Sequence, residues 1–416
     1  MTLARRPTRQ LPTGYLARLN RDPTGFLLNA AETMGPVASL RSSLTLLTEP
    51  ADIEFVLKHT GSTFSRTHNF LGQPVTETAA PEWEAGRKAV YTELRAAVER
   101  SALHHIRQAF DQMMTEWPHE PVDDAIARFE FATGSTIGRI CFGADGDRLA
   151  ALAGQLLDFL FEVAGSAYDP PAWAPGRRKA ERCAGRLREE VRAVVDARRL
   201  SGSVADLAGM LTSPDGGGLS GGLATRMLVS VLLAGHGVPA VALAWTIFLL
   251  DRYPQERQRV TDELRAAPVD LPPARLPVTT AAISETLRLY PPTWLLARKL
   301  LHEETVHGIR FGRGHTFYVS PFITGRHGQY FERPRSFMPR RWEDAAFRKQ
   351  LPAYAYFPFG AGPRRCLGQY LATLELKLLT AMLMRECELE VVDPGRVRLG
   401  ARRGLRPLNL TVLRTA

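Results

Sequence analysis

Cysteine is scarce: Cys141, Cys183, Cys366 and Cys387 are the four in 416 residues, and no two form a C-x-x-C pair. That excludes a zinc ribbon, a redox dithiol and a covalent C-x-x-C-H haem attachment, and it fits a reducing cytoplasm. The start, MTLARRPTRQ, is basic but lacks a following apolar run, so neither a signal peptide nor a membrane anchor is expected and the chain should be soluble. No internal repeat or low-complexity stretch is visible. Basic residues are scattered among acids, without zinc-finger spacing or an aromatic-rich strand pair. The net charge of +10 suits an anionic membrane or an acidic protein partner as well as nucleic acid, and nothing in the pattern reads as a nucleic-acid fold. Composition does not shift along the chain, so residues 1–416 read as one domain, with 1–15 expected to be flexible. Apolar residues at 45% suffice for a sizeable core.

What is present reads mainly as helix. Residues 37–47 alternate like two short strands and 50–58 have helical spacing, which predicts a small sheet near the N-terminus. From Trp83 to Leu211 apolar residues recur at three and four, broken by the prolines of 169–171 and Pro175, as in a series of helices. Residues 222–250 are apolar almost all round and predict a helix buried through the middle of the protein; Arg226, His236 and Pro239 argue against a membrane span. After Arg288 the chain reads as strands and loops up to Phe359, then as a helix from Leu367 to about Cys387. Cys141, Cys183 and Cys387 fall in apolar or helical patterns and read as buried structural thiols.

Chemistry concentrates in FPFGAGPRRCLG at 357–368. Gly360, Gly362 and Gly368 permit a tight turn close to a bound group, and Cys366 then sits at the start of a helix, where the dipole and free N–H groups favour a thiolate. The pattern F-x-x-G-x-R-x-C-x-G, from Phe359 to Gly368, resembles the haem-binding signature of the cytochrome P450 family at every defining position. The resemblance implies one haem b with Cys366 as iron ligand, Phe359 packed near the sulfur and Arg364 on a propionate. It implies a mainly α fold with a small β component, a triangular single-domain prism, with haem between the central helix and the Cys366 loop.

Four further segments are similar to that family. Trp83 and Arg87, spaced W-x-x-x-R, resemble its propionate-binding helix, and Arg298, six residues after Pro292, its second propionate arginine. SETLRLYPP at 284–292 holds Glu285 and Arg288 on one helix face, and PRRW at 339–342 holds Arg341. By resemblance these three form a buried structural network. His104, His105 and His236 have no comparable context and are read as non-ligands.

The pattern breaks in the buried helix. The family usually reads A-G-x-acid-T; this chain has AGHGVP at 234–239, so Gly237 and Val238 stand where the acid and alcohol that organise proton delivery would be. Pro239 has no N–H for the Gly235 carbonyl, which a kink would leave free to hold a water. Gly235, Val238 and Pro239 thus join Cys366 as candidate catalytic positions.

The implied activity is a monooxygenase that uses O2 to oxidise a small, mostly apolar molecule, a natural-product intermediate of secondary metabolism. Electrons come from a separate ferredoxin or flavodoxin-type donor, for which Arg364 and Arg365 suit an acidic surface. A cytoplasmic monomer without membrane anchor is expected. One alternative is peroxide use, radical coupling or substrate-assisted proton delivery, though peroxide-using relatives share an Arg-Pro pair where this chain has Val-Pro. A non-catalytic helper is the other, and retention of Cys366 argues against it. Substrate contacts are expected from 65–73, the helix near Leu233 and Val238, and 293–296.

Overall fold

In the computed structural model, which describes residues 21–66, 81–118, 120–164, 175–268, 275–401 and 405–414, the helices begin with α1 (Pro23–Met34), α2 (Pro50–Lys58) and α3 (Pro81–Thr115). Then come α4 (Ala125–Phe142), α5 (Gly146–Ala164), α6 (Pro175–Ser201), α7 (Leu207–Thr212), α8 (Gly221–Arg252), α9 (Pro254–Ala266) and α10 (Pro277–Leu289). The last three are α11 (Pro321–Thr324), α12 (Ala345–Gln350) and α13 (Gln369–Glu386). Residues 1–15, expected to be flexible, and the breaking prolines at 169–171 lie outside the described residues.

Contacts gather into two compact units, each assembled from segments distant in sequence. One draws on Met1–Ala80 and Leu287–Cys366, the other on Pro81–Thr286 and Leu367–Ala416.

The first unit holds the sheet. β1 (Val37–Arg41) and β2 (Leu44–Leu47) pair antiparallel, as the alternation predicts. They form only part of it. The order is β1-β2-β7-β4-β3, with β3 (Phe64–Arg66), β4 (Leu296–Leu300) and β7 (Thr316–Val319) completing five strands. β2 runs parallel to β7, Leu44 opposite Thr316, whereas β4 is antiparallel to both β7 and β3. Strands β5 (Glu304–Val306) and β6 (Ile309–Phe311) make a separate hairpin. Alternate residues of the sheet point inward, where Phe64, Phe311 and Phe317 meet edge to face beneath α2.

The second unit is helical. Ser220 caps α8, its hydroxyl accepting from Leu223 N–H at 3.3 Å. The helix then continues for 32 residues through Pro239. Among the described residues α8 alone is long and apolar enough to cross a membrane, but 67% of its most apolar stretch is buried within the protein. That burial is what an all-round apolar helix requires in water. It packs along α4, and Trp245 Nε1 donates to the Leu405 carbonyl at 2.8 Å.

Candidate active site

The Cys366 turn is shaped by two left-handed glycines, Gly360 at φ 66° and Gly362 at φ 68°. A Cβ on Gly362 would stand 2.2 Å from the Leu57 carbonyl oxygen, so no other residue lets the turn lie this close to α2. Gly360 N–H donates to the Phe357 carbonyl, Arg365 N–H to that of Gly362, and Cys366 N–H to that of Phe359 at 2.9 Å. This ladder holds the Cys366 side chain outward: its thiol is exposed, whereas the other three are buried. Burial pushes the Cys141, Cys183 and Cys387 thiols up, as inert structural cysteines require.

Two details of the turn differ from the sequence reading. Gly368 has φ −86° and needs no glycine conformation; what it leaves is room, since nothing stands within 4 Å of where its Cβ would project. Helix α13 starts at Gln369, so Cys366 precedes the helix by three residues instead of standing in its first turn.

Arg298 lies on β4, 5% exposed, its Nε donating to Thr60 Oγ1 at 2.9 Å. Directly opposite it across the antiparallel pair is Arg66. Like charges facing across strands normally destabilise a sheet. Burial first, then Arg66 and Arg364, lowers Arg298 to about 10; Arg66 is lowered by burial and by Arg364. Burial and both neighbouring guanidiniums disfavour the charged form of Arg298, so an anion placed among them would be favoured. Arg66 is the member the sequence reading missed, because it stands at the head of the stretch assigned to substrate. Residues 67–73 of that stretch lie outside the described residues.

Trp83 and Arg87 are half-buried and one turn apart on α3. Phe359 and Arg364 are likewise half-buried. Glu285, Arg288 and Arg341 are buried, at 0%, 1% and 9% exposed. Arg288 donates to the carbonyls of Gly325, Pro334 and Ser336 and stacks 5.0 Å from Phe331. Arg341 donates to the Glu332 carbonyl at 2.8 Å from the 3-10 turn Pro339–Trp342.

On α8 the exposed residues of this stretch, Arg226, Ser230, Ala234 and Val238, recur every four positions, and Val238 is 40% exposed. Leu233, expected beside Val238, is buried, being turned about 100° from Ala234. In 293–296, Trp294 is also core: it packs on Phe322, and its carbonyl accepts from Ser320. On the opposite side of α8, His236 fills a notch where Gly134 and Gly154 lack side chains, and its Nδ1 has no hydrogen-bond partner among the described residues. Pro239 is buried, and Gly235 backs onto Ile137.

A family model described as cytochrome P450 matches residues 13–403. The chain belongs to the cytochrome P450 family. Among curated relatives, cytochrome P450 4d1 of Drosophila melanogaster is 32% identical over 39% of this chain and 33% of its own length. Sterol 14alpha-demethylase of Mycobacterium tuberculosis (strain H37Rv) is 33% identical over 41% of this chain and 39% of its own. The chain thus matches only about a third of the length of these relatives. The solved structure of retinoic acid-bound cyanobacterial CYP120A1 superposes with a TM-score of 0.82 at 20% identity, covering 96% of both chains, which establishes the P450 fold. A P450 carries a haem iron, and the residues present fit one: an exposed thiol on a turn with open space at Gly368, and buried Arg298 with half-buried Arg66 and Arg364 close enough to act on it, donors of the kind carboxylates need.

The buried histidines give this P450 an acid-sensitive fold. Burial lowers both His236 and His315 from 6.5 to about 4. At these two positions the unfolded chain therefore binds more protons between pH 6.5 and about 4, so the histidines' contribution to stability is full above that window and is lost as pH falls through it. Each histidine should contribute up to ~1.4 kcal/mol per pH unit to the decline. Melting temperatures across that range should show it, and His236→Gln should flatten it in part; an unchanged slope would contradict the burial of a neutral ring.

Proposed function

We propose that this chain is a haem-thiolate monooxygenase, holding haem b non-covalently through Cys366 and oxidising a small, mostly apolar molecule with O2. The observation that carries the reading is the tie between thiol and cations: Arg364, two residues before Cys366, acts electrostatically on both Arg298 and Arg66. Cys366 would hold the iron through its thiolate, and the group so bound would supply oxygen activation. Arg66, Arg298 and Arg364 would neutralise carboxylates of the bound group, and the resemblance assigns Trp83 and Arg87 the same role. Phe359 packs by the sulfur. Val238 and Ala234 present an apolar face to substrate, consistent with an uncharged ligand. Electrons come from a separate ferredoxin or flavodoxin-type protein, with exposed Arg365 available to an acidic partner. A single-domain cytoplasmic monomer acting in natural-product metabolism completes the proposal. Spectral titration with apolar candidates tests it: displacement of the ferric Soret band by one compound, and oxidation of that compound with O2 and a reductase, is the expected result.

Proton delivery sets the second question, because Val238 has no hydroxyl to offer. Pro239 cannot donate to the Gly235 carbonyl, which is then available to hold a water on the helix. Pro239→Ala restores that helix bond and should lower product formed per reducing equivalent, with peroxide making up the difference. If Pro239→Ala leaves coupling intact while a substrate analogue stripped of its polar group uncouples, the proton comes from substrate. Full turnover with hydrogen peroxide and none with O2 plus reductase favours the peroxide route.

A further inference from the structure

We propose that Glu130, on α4, supplies the carboxylate that α8 lacks at Gly237, passing protons to water beside the Gly235 carbonyl. The inference rests on the oxygen-activation reading above. Its basis is how closely the two helices meet. Along this contact α4 and α8 run antiparallel: Ile137 meets Gly235, Gly134 meets His236, and Glu130 meets Gly237. A Cβ on Gly237 would stand 3.3 Å from Glu130 Oε1 and 3.9 Å from its Cδ. An acidic residue at 237 would extend its carboxyl group by one bond from that Cβ, into the space Glu130 already borders. The two carboxylates are therefore alternatives for one place, and glycine at 237 is what admits the one from α4.

The register that places Glu130 is fixed. Thr133, one turn along α4, donates its hydroxyl to the His236 carbonyl, and the His236 ring is seated against Gly134, whose Cβ would lie 2.5 Å from Nδ1. These contacts also remove the neighbouring candidates. The Thr133 hydroxyl is taken up by backbone carbonyls, those of Phe129 and His236. The neutral His236 ring lies on the side of α8 opposite Ala234 and Val238, each two residues and hence about 200° away. Gly237 is about 100° from Val238, at the margin between the buried contact and the exposed face. Glu130 is half-buried, so it keeps a route to solvent. In the step proposed, its carboxyl O–H gives a proton to the water beside the Gly235 carbonyl and the carboxylate regains one from bulk water; no electrons change hands at Glu130.

The experiment combines a stability cycle with turnover. Melting temperatures are measured at neutral pH and low salt for wild type, Gly237→Asp, Glu130→Gln and the double variant, with Gly237→Asn as the shape control. Gly237→Asp should melt below Gly237→Asn in the wild-type background, and that gap should close when Glu130 is Gln, because the two carboxylates no longer repel. Glu130→Gln should lower product per reducing equivalent at least tenfold, the low end for loss of an acid–base group being about 10²-fold in rate, and raise the solvent isotope effect. Adding Gly237→Asp should restore it. A stability cycle without coupling overturns the proposal, as does unchanged product yield in Glu130→Gln when wild type is well coupled. A wild type that works only with peroxide instead overturns the oxygen-activation reading, and the relay with it, whatever the stability cycle shows.

Discussion

Cys366→Ser is expected to abolish the strongly red-shifted Soret band of the reduced carbonyl complex, while Cys141→Ala, Cys183→Ala and Cys387→Ala keep it. The reason is geometric and chemical. Cys366 alone presents its sulfur to solvent, from a backbone locked by the Phe359 carbonyl and by two glycines in left-handed conformation. The other three are buried thiols held protonated. Serine preserves the turn but offers no thiolate, so the protein should fold, and its melting temperature should stay near that of wild type without added haem. A red-shifted band surviving in Cys366→Ser would sink the assignment of the iron ligand, as would a histidine-type spectrum in freshly folded wild type.

The second large effect is expected at Arg288. Its guanidinium, 1% exposed, satisfies the carbonyls of Gly325, Pro334 and Ser336 and lies against Phe331. Arg288→Ala leaves those acceptors dry and unmatched. Losing one member of a buried charged arrangement costs about 3–5 kcal/mol, a large share of the ~5–15 kcal/mol that holds a protein folded. Haem-poor, poorly soluble protein should result. Arg288→Lys should fail as well, since an ammonium lacks the planar fork that reaches three acceptors at once. Glu285→Ala and Arg341→Ala, both at buried positions, should behave alike, whereas exposed Arg310→Ala should be indistinguishable from wild type. Soluble, haem-replete Arg288→Ala would show that the carbonyls find water.

The sequence was most informative where a position tolerates few residues. The tight turn between Phe359 and Cys366 was legible, because Gly360 and Gly362 supply the left-handed backbone it requires. The all-round apolar character of α8 likewise announced a buried helix. Side of helix was harder: Leu233 and Ala234 are equally apolar, and only packing shows that Ala234 shares the exposed face with Val238. Long-range pairing was not legible either. Nothing in 296–319 states that β4 and β7 complete a sheet begun at Val37, because register is set by partners hundreds of residues away. Arg66 was hidden for the same reason. An arginine ending a short strand normally faces water, and only the strand opposite, carrying Arg298, reveals a charge cluster. Glu130 had no local signal at all, its interest arising from an absence on another helix.

That sheet also sets a timetable for a chain emerging from the ribosome. Strand β2 is made early, yet its parallel partner begins at Thr316, more than two hundred residues later. At ~5–20 residues per second, Leu44 and its neighbours wait roughly 15–55 s for a match, their N–H and C=O groups open along one edge. Strand β3 waits almost as long for β4. Throughout that interval the nascent chain carries an unpaired Leu-rich edge at β2, the form of strand most prone to join a neighbouring polypeptide, whereas the short β3 ends in the charge of Arg66. Chaperone demand during synthesis should therefore fall steeply once Val319 clears the exit tunnel, and chains halted before Thr316 should be the ones that aggregate.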